Sequence, residues 1–405
     1  MCDTLCSLTV DGALFGKNSD RPVGEVQVFE AFPQRAGGGE LRTQYLSIPD
    51  TGAFAVKGSR PTWLWGFEHG FNEHRVAIGN EKLFTREDPA RAPDGLIGMD
   101  LVRLGLERGR TADRAVEVIC ELIEEHGQGG ECDHVFGDRY FSSFLVADPS
   151  QALVLETTGR QWVVRRVDQP GGGVAISNRV STGREYWRAC SSVVPGSDID
   201  RWRDPGSPTG HADFRLAAMR AAVDPEPGCD RQLVSAGAAP TPGDFAAVLR
   251  HHGDGPWGSP EDGRGPGGTP LPSPIPDPEV GSDGTNVTVC MHVRDYSVTA
   301  ASMIVSLPAD PGAPMQAWVA PSSPCVSMFV PIDPASSTVP PCLSAPDLWC
   351  RVDQLRQRAE RGDVSLDEIR AVLGPAERDL WRGSVPRSDR AACETFEQAL
   401  QQLGV

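Results

Sequence analysis

The feature that most constrains the fold is the order in which hydrophobic period changes along the chain: period-two runs, then two helical stripes, then period-two runs again. Thr4 to Val10 and Ala13 to Lys17 are β-rich and flank Asp11-Gly12, a hairpin signal. Strand-like runs at Gln44 to Ile48, Ala53 to Lys57 and Arg75 to Gly79 follow, separated by Pro, Gly and Asp. Gly98 to Arg108 then places Met99, Val102, Leu104 and Leu106 around an apolar stripe. Thr111-Ala112-Asp113 caps a second helix, whose Ala115, Val116, Val118, Ile119, Leu122 and Ile123 face a core until Gly127-Gln128-Gly129-Gly130 stops it. Strands return at Phe144 to Ala147, Ala152 to Glu156, Trp162 to Val167 and Val174 to Ile176. A sheet, a helix pair and a second sheet predict a layered α+β domain.

Beyond it, residues 195–245 read as mixed and partly helical, and residues 252–285 are so rich in Gly, Pro, Ser and Asp that a long loop or lid is expected. Val287 to Val293, Ser302 to Leu307, Met315 to Val319 and Val326 to Val330 supply a last set of strands. Residues 346–405 are helical and charged, with Leu348, Val352, Leu355, Ile369, Val372 and Leu373 available for packing.

The net charge of -17 over 405 residues disfavours nucleic acid and anionic membrane as partners, because no Lys/Arg stripe offsets it locally. With no run of 18 or more apolar residues and no basic, apolar leader, a cytoplasmic protein is expected. Its oligomeric state stays open, a homo-oligomer included. The 11 cysteines are scattered and odd in number, so most are expected as buried thiols rather than a disulfide framework. Cys132 and His134 lack a second ligand pair at zinc spacing, and His69 and His74 do not have the H-E-x-x-H arrangement. No metal and no cofactor is predicted.

There is no G-x-S-x-G elbow, and Gly12 to Asn18 falls one residue short of a phosphate loop. What remains is the N-terminus. Met1 precedes the small residue Cys2, so removal of Met1 leaves a free α-amine on a cysteine. With reference pKa values of roughly 7.7 to 8.0 for the amine and about 8.5 for the thiol, the amine can take the thiol proton without a histidine. Taken alone, Cys2 reads equally as a packed strand residue. Cys6 is a rival nucleophile, but its amine would need five residues cut away, and a core role suits it better.

Read together, Cys2-Asp3-Thr4, Phe15 to Pro22 (FGKNSDRP) and Glu25-Val26-Gln27 resemble the opening of the secernins. These belong with the dipeptidase-type cysteine Ntn hydrolases, related to choloylglycine hydrolases and penicillin V acylases. The resemblance continues through Ser59 to Glu81, Leu96 to Gly109, Glu124 to Gly130, Leu155 to Val163, Ile176 to Asn178, Thr288 to His292 and Ala301 to Leu307. It covers roughly residues 2–335, within which the glycine-rich stretch at 252–285 is particular to this chain, and the C-terminal 60 residues match only loosely.

The resemblance implies an Ntn-hydrolase αββα sandwich, two stacked antiparallel sheets between helical layers. It places a catalytic domain at 1–340 and a helical C-terminal extension at 341–405. It implies Cys2 as nucleophile, Asp20 as the carboxylate that holds the α-amine, and Asn80 and Asn178 as oxyanion or substrate-amide donors. Lys17 stands where relatives carry an arginine beside the thiol, and reads either as a thiolate-favouring cation or as a strand lysine. Trp63 and Trp65 are candidates for a pocket wall or for core aromatics. Asn72, in Gly70-Phe71-Asn72-Glu73, is read as the tight turn entering the strand that delivers Asn80, and is grouped with them at the substrate edge. Arg184 is the candidate for the relatives' second arginine near substrate. The implied activity is hydrolysis of a small peptide or N-acyl amide, a dipeptide foremost, through a Cys2 thioester. Amide trimming or acyl transfer in specialised metabolism and a non-catalytic regulatory role are the alternatives.

Overall fold

The computed structural model describes residues 1–207, 212–224, 239–252, 287–293, 296–384 and 388–405. Two large antiparallel sheets are stacked. The first runs Gly173–Ile176, Cys2–Thr9, Gly12–Pro22, Ser297–Pro308, Gln316–Pro321, Val330–Ile332, with His292–Val293 pairing onto Ser297–Pro308. The second runs Arg188–Ala189, Gln161–Val167, Gln151–Thr158, Phe141–Asp148, Ala77–Leu83, His69–Asn72, Val56–Pro61, Gln27–Phe32.

Each sheet is covered on both faces, which is why several strands read as unbroken apolar runs rather than alternating ones. In Phe141–Asp148, Leu145 and Ala147 point inward with Cys6, Phe15 and Met303 of the opposite sheet. Phe144 and Val146 point outward to Leu101, Val102 and Ile119 of helices Gly98–Arg108 and Ala112–His126. Across the molecule, Leu5, Leu14 and Ile304 of the first sheet pack under Leu216 and Met219 of helix Asp213–Val223 and Phe245 of helix Pro242–Leu249. The layers are therefore αββα, the sandwich that the resemblance implies.

The helix pair forms where its signals lie. Thr111 Oγ1 accepts from Arg114 N–H at 3.2 Å, and Gly127 ends the second helix with φ at +74°. The first hairpin also forms around Asp11-Gly12, and a Cβ at Gly12 would lie 2.2 Å from the Leu307 carbonyl.

The last strands depart from expectation. Only His292–Val293 of the run expected at 287–293 is a strand, because the Cys290 N–H is taken by the His251 carbonyl and the Met291 N–H by Thr299 Oγ1. The run expected at 326–330 begins as a tight turn at Pro324–Val326 and joins the sheet only at Val330–Ile332, since Pro324 brings no N–H to a ladder. The loop or lid expected at 252–285 lies outside the described residues apart from His252.

Residues beyond 340 form helices Pro346–Glu360, Leu366–Arg382 and Asp389–Gln402. Their Val352, Leu355, Ile369, Leu373 and Phe396 join the same core cluster as Val305 and Val330, so one continuous core crosses the expected boundary at 340. Cys342 and Cys393 form a disulfide, while eight other described cysteines are free and seven of these are buried. Among the described residues no helix is long and apolar enough to cross a membrane.

Candidate active site

Cys2 opens the first strand, one in from the edge of the first sheet, where it pairs with Ser19 of Gly12–Pro22, and is 5% exposed. Met1 extends that pairing: its amine donates to the Asp20 carbonyl at 3.0 Å, and the Asp20 N–H donates to the Met1 carbonyl at 2.8 Å. Removal of Met1 therefore frees the Asp20 N–H and carbonyl that Met1 occupies. That nitrogen donates to Asn178 Oδ1 at 3.0 Å. The thiol lies 3.7 Å from Glu68 Oε2 and 4.0 Å from the Asp20 carbonyl.

Around the thiol is a buried charge network. Lys17 Nζ donates to Glu68 Oε2 at 3.5 Å, and Arg21 Nη1 to Glu68 Oε1 at 2.9 Å. Burial opposes ionisation of Glu68, yet Arg21, Lys17 and the N-terminal amine hold its carboxyl below the usual range. Burial likewise opposes charge on Lys17, but Cys2, Glu68, Glu81 and Asp20 hold its ammonium above the usual value. Lys17 reaches across to the second sheet because Gly79 has no side chain: a Cβ there would stand 2.5 Å from the lysine Cδ. With Met1 in place, burial chiefly pushes the Cys2 thiol up to about 11, against Lys17.

Asp20 Oδ1 accepts from Thr299 Oγ1 at 2.7 Å, while Oδ2 has no hydrogen-bond partner and stands 3.8 Å from the Arg215 guanidinium. Burial pushes this carboxyl up to about 7, against the N-terminal amine. Asn80 enters from the second sheet. Its amide donates only to the Met99 sulfur at 3.5 Å, and its Oδ1 has no partner. Gly98 makes room for that amide, since a Cβ would lie 2.7 Å from Asn80 Nδ2.

Asn178, expected as a donor, also accepts at the Cys2 nitrogen. Its Oδ1 takes two donors, Cys2 N–H and Arg215 Nη2 at 2.6 Å, and its Nδ2 donates to the Lys82 carbonyl at 2.9 Å. An amide so engaged orients the Cys2 nitrogen through its oxygen and commits one of its two N–H groups to the Lys82 carbonyl. Arg215, fully buried, also donates to the Cys2 carbonyl at 3.2 Å and to Asp3 Oδ2 at 2.7 Å.

Cys2, Asp20, Glu68, Asn80 and Tyr140 line a cavity of about 40 Å³ that Met1 also lines, with Lys82, Asp138, Phe136 and Tyr296 toward its rim. Six expected residues do not line it: Lys17 and Asn178, which engage Glu68 and the Cys2 nitrogen, and four that lie elsewhere. Trp63 donates to Glu25 Oε1 at 2.8 Å and packs behind Tyr140. Trp65 sits 4.3 Å from the Arg103 guanidinium carbon, against the outer core. Asn72 makes the turn that was expected, its Oδ1 accepting from His74 and Val76 N–H, but its Nδ2 donates to the Leu106 and Gly109 carbonyls. Arg184 is two-thirds exposed beside Asp198, and the arginines near Cys2 are Arg21, on Glu68, and Arg215, on Asn178 and the Cys2 carbonyl.

Glu68 and Arg21 were missed although both lie inside family-like segments, where a charged residue on a buried strand face was the available signal. Arg215 gives no such signal, since its partners lie 212 and 213 residues away. A larger groove of about 930 Å³, bounded by Glu30, Val339 and Leu348, lies beside the Cys342–Cys393 disulfide and has no free thiol among its lining residues. The Cys132 and His134 side chains have separate partners, Gly130 and Glu25. A different set, His252, Cys290, His292 and Cys325, converges at a point that spacing along the chain did not indicate.

No protein-family profile matches the chain. Among solved structures, it is similar to a cysteine-to-alanine mutant of conjugated bile acid hydrolase from Clostridium perfringens, at 12% identity and a TM-score of 0.40, over 78% of this chain and 88% of that one. An arginine-to-leucine variant of the same enzyme matches at 16% and 0.32 over 45% of this chain, which spans about half, 54%, of that structure. An N-acylethanolamine-hydrolyzing acid amidase ortholog from Caenorhabditis elegans matches at 12% and 0.30, over 45% and 71% of the two chains.

Proposed function

We propose that the chain is an N-terminal-cysteine amidohydrolase of secernin-like type that acts once Met1 is removed, with a dipeptide or comparably small amide as substrate. The observation that carries this is the placement of both functional atoms of Cys2: its nitrogen is held by Asn178 Oδ1 and its sulfur lies in the cavity beside Glu68. The amine accepts the thiol proton, and the sulfur attacks the amide carbonyl. Asn80 donates to the oxyanion, the ammonium returns its proton to the leaving nitrogen, and water cleaves the thioester. Asp20 Oδ2 and the Asp20 carbonyl receive the ammonium, Lys17 balances the sulfur's charge, and Asn178 and Arg215 fix the strand terminus.

Two features favour a small, doubly charged substrate. The cavity is confined, and Lys82 and Asp138 at its rim are ion-paired with each other, one charge of each sign that the termini of a dipeptide would engage by parting the pair. The test is intact mass after treatment with a thiol-directed electrophile, on wild type and Cys2→Ala, beside a dipeptide and N-acyl amide panel with and without added amine. Met1-free protein labelled only when Cys2 is present, and cleaving members of the panel, supports the reading. Retained Met1, or labelling that survives Cys2→Ala, would sink it. Transfer to the added amine would make the enzyme an acyltransferase.

A further inference from the structure

We propose that His252, Cys290, His292 and Cys325 form a closed, tetrahedral site for a divalent metal, with zinc as the ion that the donor set fits. One ligand atom from each residue lies within 4.8 Å of all the others. The Cys290 sulfur is 3.5 Å from His292 Nε2, and the Cys325 sulfur is 3.3 Å from the same nitrogen. Zinc bonds of about 2.3 Å to sulfur and 2.0 to 2.1 Å to nitrogen, arranged tetrahedrally, put neighbouring ligand atoms roughly 3.3 to 3.8 Å apart. Both sulfur-to-nitrogen edges at His292 fall in that range.

The surroundings fit a resident ion. His292 Nδ1 lies 2.9 Å from Glu360 Oε1, and a carboxylate only accepts, so Nδ1 carries the proton. His292 Nε2 then turns its lone pair toward the two sulfurs, the arrangement by which an outer carboxylate orients a ligating histidine. Arg356 Nη1 holds the other Glu360 oxygen at 2.6 Å. Cys290 and His292 are 0% exposed and Cys325 is 1% exposed. Two thiolates buried there are costly without a counter-charge, and a divalent cation neutralises both.

Two rivals use fewer of these residues. Cys325, His292 and Glu360 align as a thiol, imidazole and carboxylate, but a nucleophile at 1% exposure has no path to substrate, and neither Cys290 nor His252 has a part in it. A Cys290–Cys325 disulfide would leave both histidines without a role. Four protein donors fill a tetrahedron, so the site is structural.

It joins four segments: the end of helix Pro242–Leu249, the approach to strand His292–Val293, the turn Pro324–Val326 and, through Glu360, helix Pro346–Glu360. Met291, between two ligands, donates to Thr299 Oγ1 at 2.8 Å, and that hydroxyl donates to Asp20. The clip thus braces the carboxylate beside Cys2 from behind.

The test uses full-length protein expressed with added zinc and purified without chelator. Elemental analysis is expected to find one zinc per chain, and cobalt(II) replacing it is expected to give the strong visible bands and thiolate charge-transfer absorption of a tetrahedral sulfur-ligated ion. Glu360→Gln is expected to weaken zinc binding by roughly 10- to 100-fold in competition with a chromogenic chelator. Protein without bound metal, a weak octahedral cobalt spectrum without charge transfer, or zinc retained in the C290S/C325S double variant would each overturn the proposal. Should the double variant not fold, the cobalt spectrum of wild type decides alone. The outcome does not depend on the amidase reading, because none of these measurements uses activity.

Discussion

In the chain that keeps Met1, Cys2 is a poor nucleophile: burial pushes its thiol up to about 11, and its nitrogen is an amide with no base character. Alkylation of that form is therefore expected to be slow at neutral pH and to rise roughly tenfold per pH unit until the thiolate saturates near 11. The Met1-free form is expected to react at neutral pH, where its amine can take the proton; a pH series of iodoacetamide labelling on both forms checks this. Asn80→Ala is expected to lower kcat by roughly 10² to 10³ with the protein still folded, because its amide has only the Met99 sulfur to hold it in the resting state. Arg215→Met strands the buried Asp3 carboxylate and is expected to cost about 3 to 5 kcal/mol in denaturant unfolding. The Cys2 position was legible in the sequence through Met1 and the segments around it. The roles of Asn178 and Arg215 were not, because each is set by a hydrogen bond across more than 30 residues to a group that local patterning does not describe.

At the scale of elements, helix boundaries followed local chemistry and the C-terminal strands did not. Caps at Thr111 and Gly127 act within one turn, so the helix they delimit was readable. The ladder partners of residues 287–293 come from strand Ser297–Pro308 and from His251, and competition between them decided which backbone groups stayed in the sheet. Helix Leu366–Arg382 is docked by ions as well as by apolar contact. Glu377 accepts from Arg250 and Arg370 at 2.6 Å each and from Phe329 N–H at 2.7 Å. Burial opposes its charge, but the two guanidinium groups hold its carboxyl below the usual range. A depressed folded pKa means stability that is present above the unfolded value and is lost as pH falls through the folded one. Glu377→Ala is expected to cost about 3 to 5 kcal/mol at neutral pH, by leaving two buried arginines unpaired. The difference from wild type is expected to shrink toward acid in urea unfolding measured over a pH series.

For the whole molecule, the disulfide across 51 residues ties the start of the C-terminal helices to the last one. In the chain-entropy account, a loop of that length is worth about 4 kcal/mol. Reductant or Cys393→Ser is expected to lower the denaturant midpoint accordingly, with the free thiol counted by mass. By itself the sequence determined the layered α+β class, the helix pair and the first hairpin, because period, caps and turns act over a few residues, while the αββα sandwich and the candidacy of Cys2 rested on the resemblance. Only the tertiary structure decided that the last helices share the sandwich core, that Asn178 holds a nitrogen, and that Arg21 and Arg215 stand near Cys2 while Arg184 lies outside. It alone brought two cysteines and two histidines from three separate segments to one point. The physical reason is common to all of these. Buried polar groups must find partners wherever the folded chain brings them, and a partner's distance along the sequence carries no trace of that need.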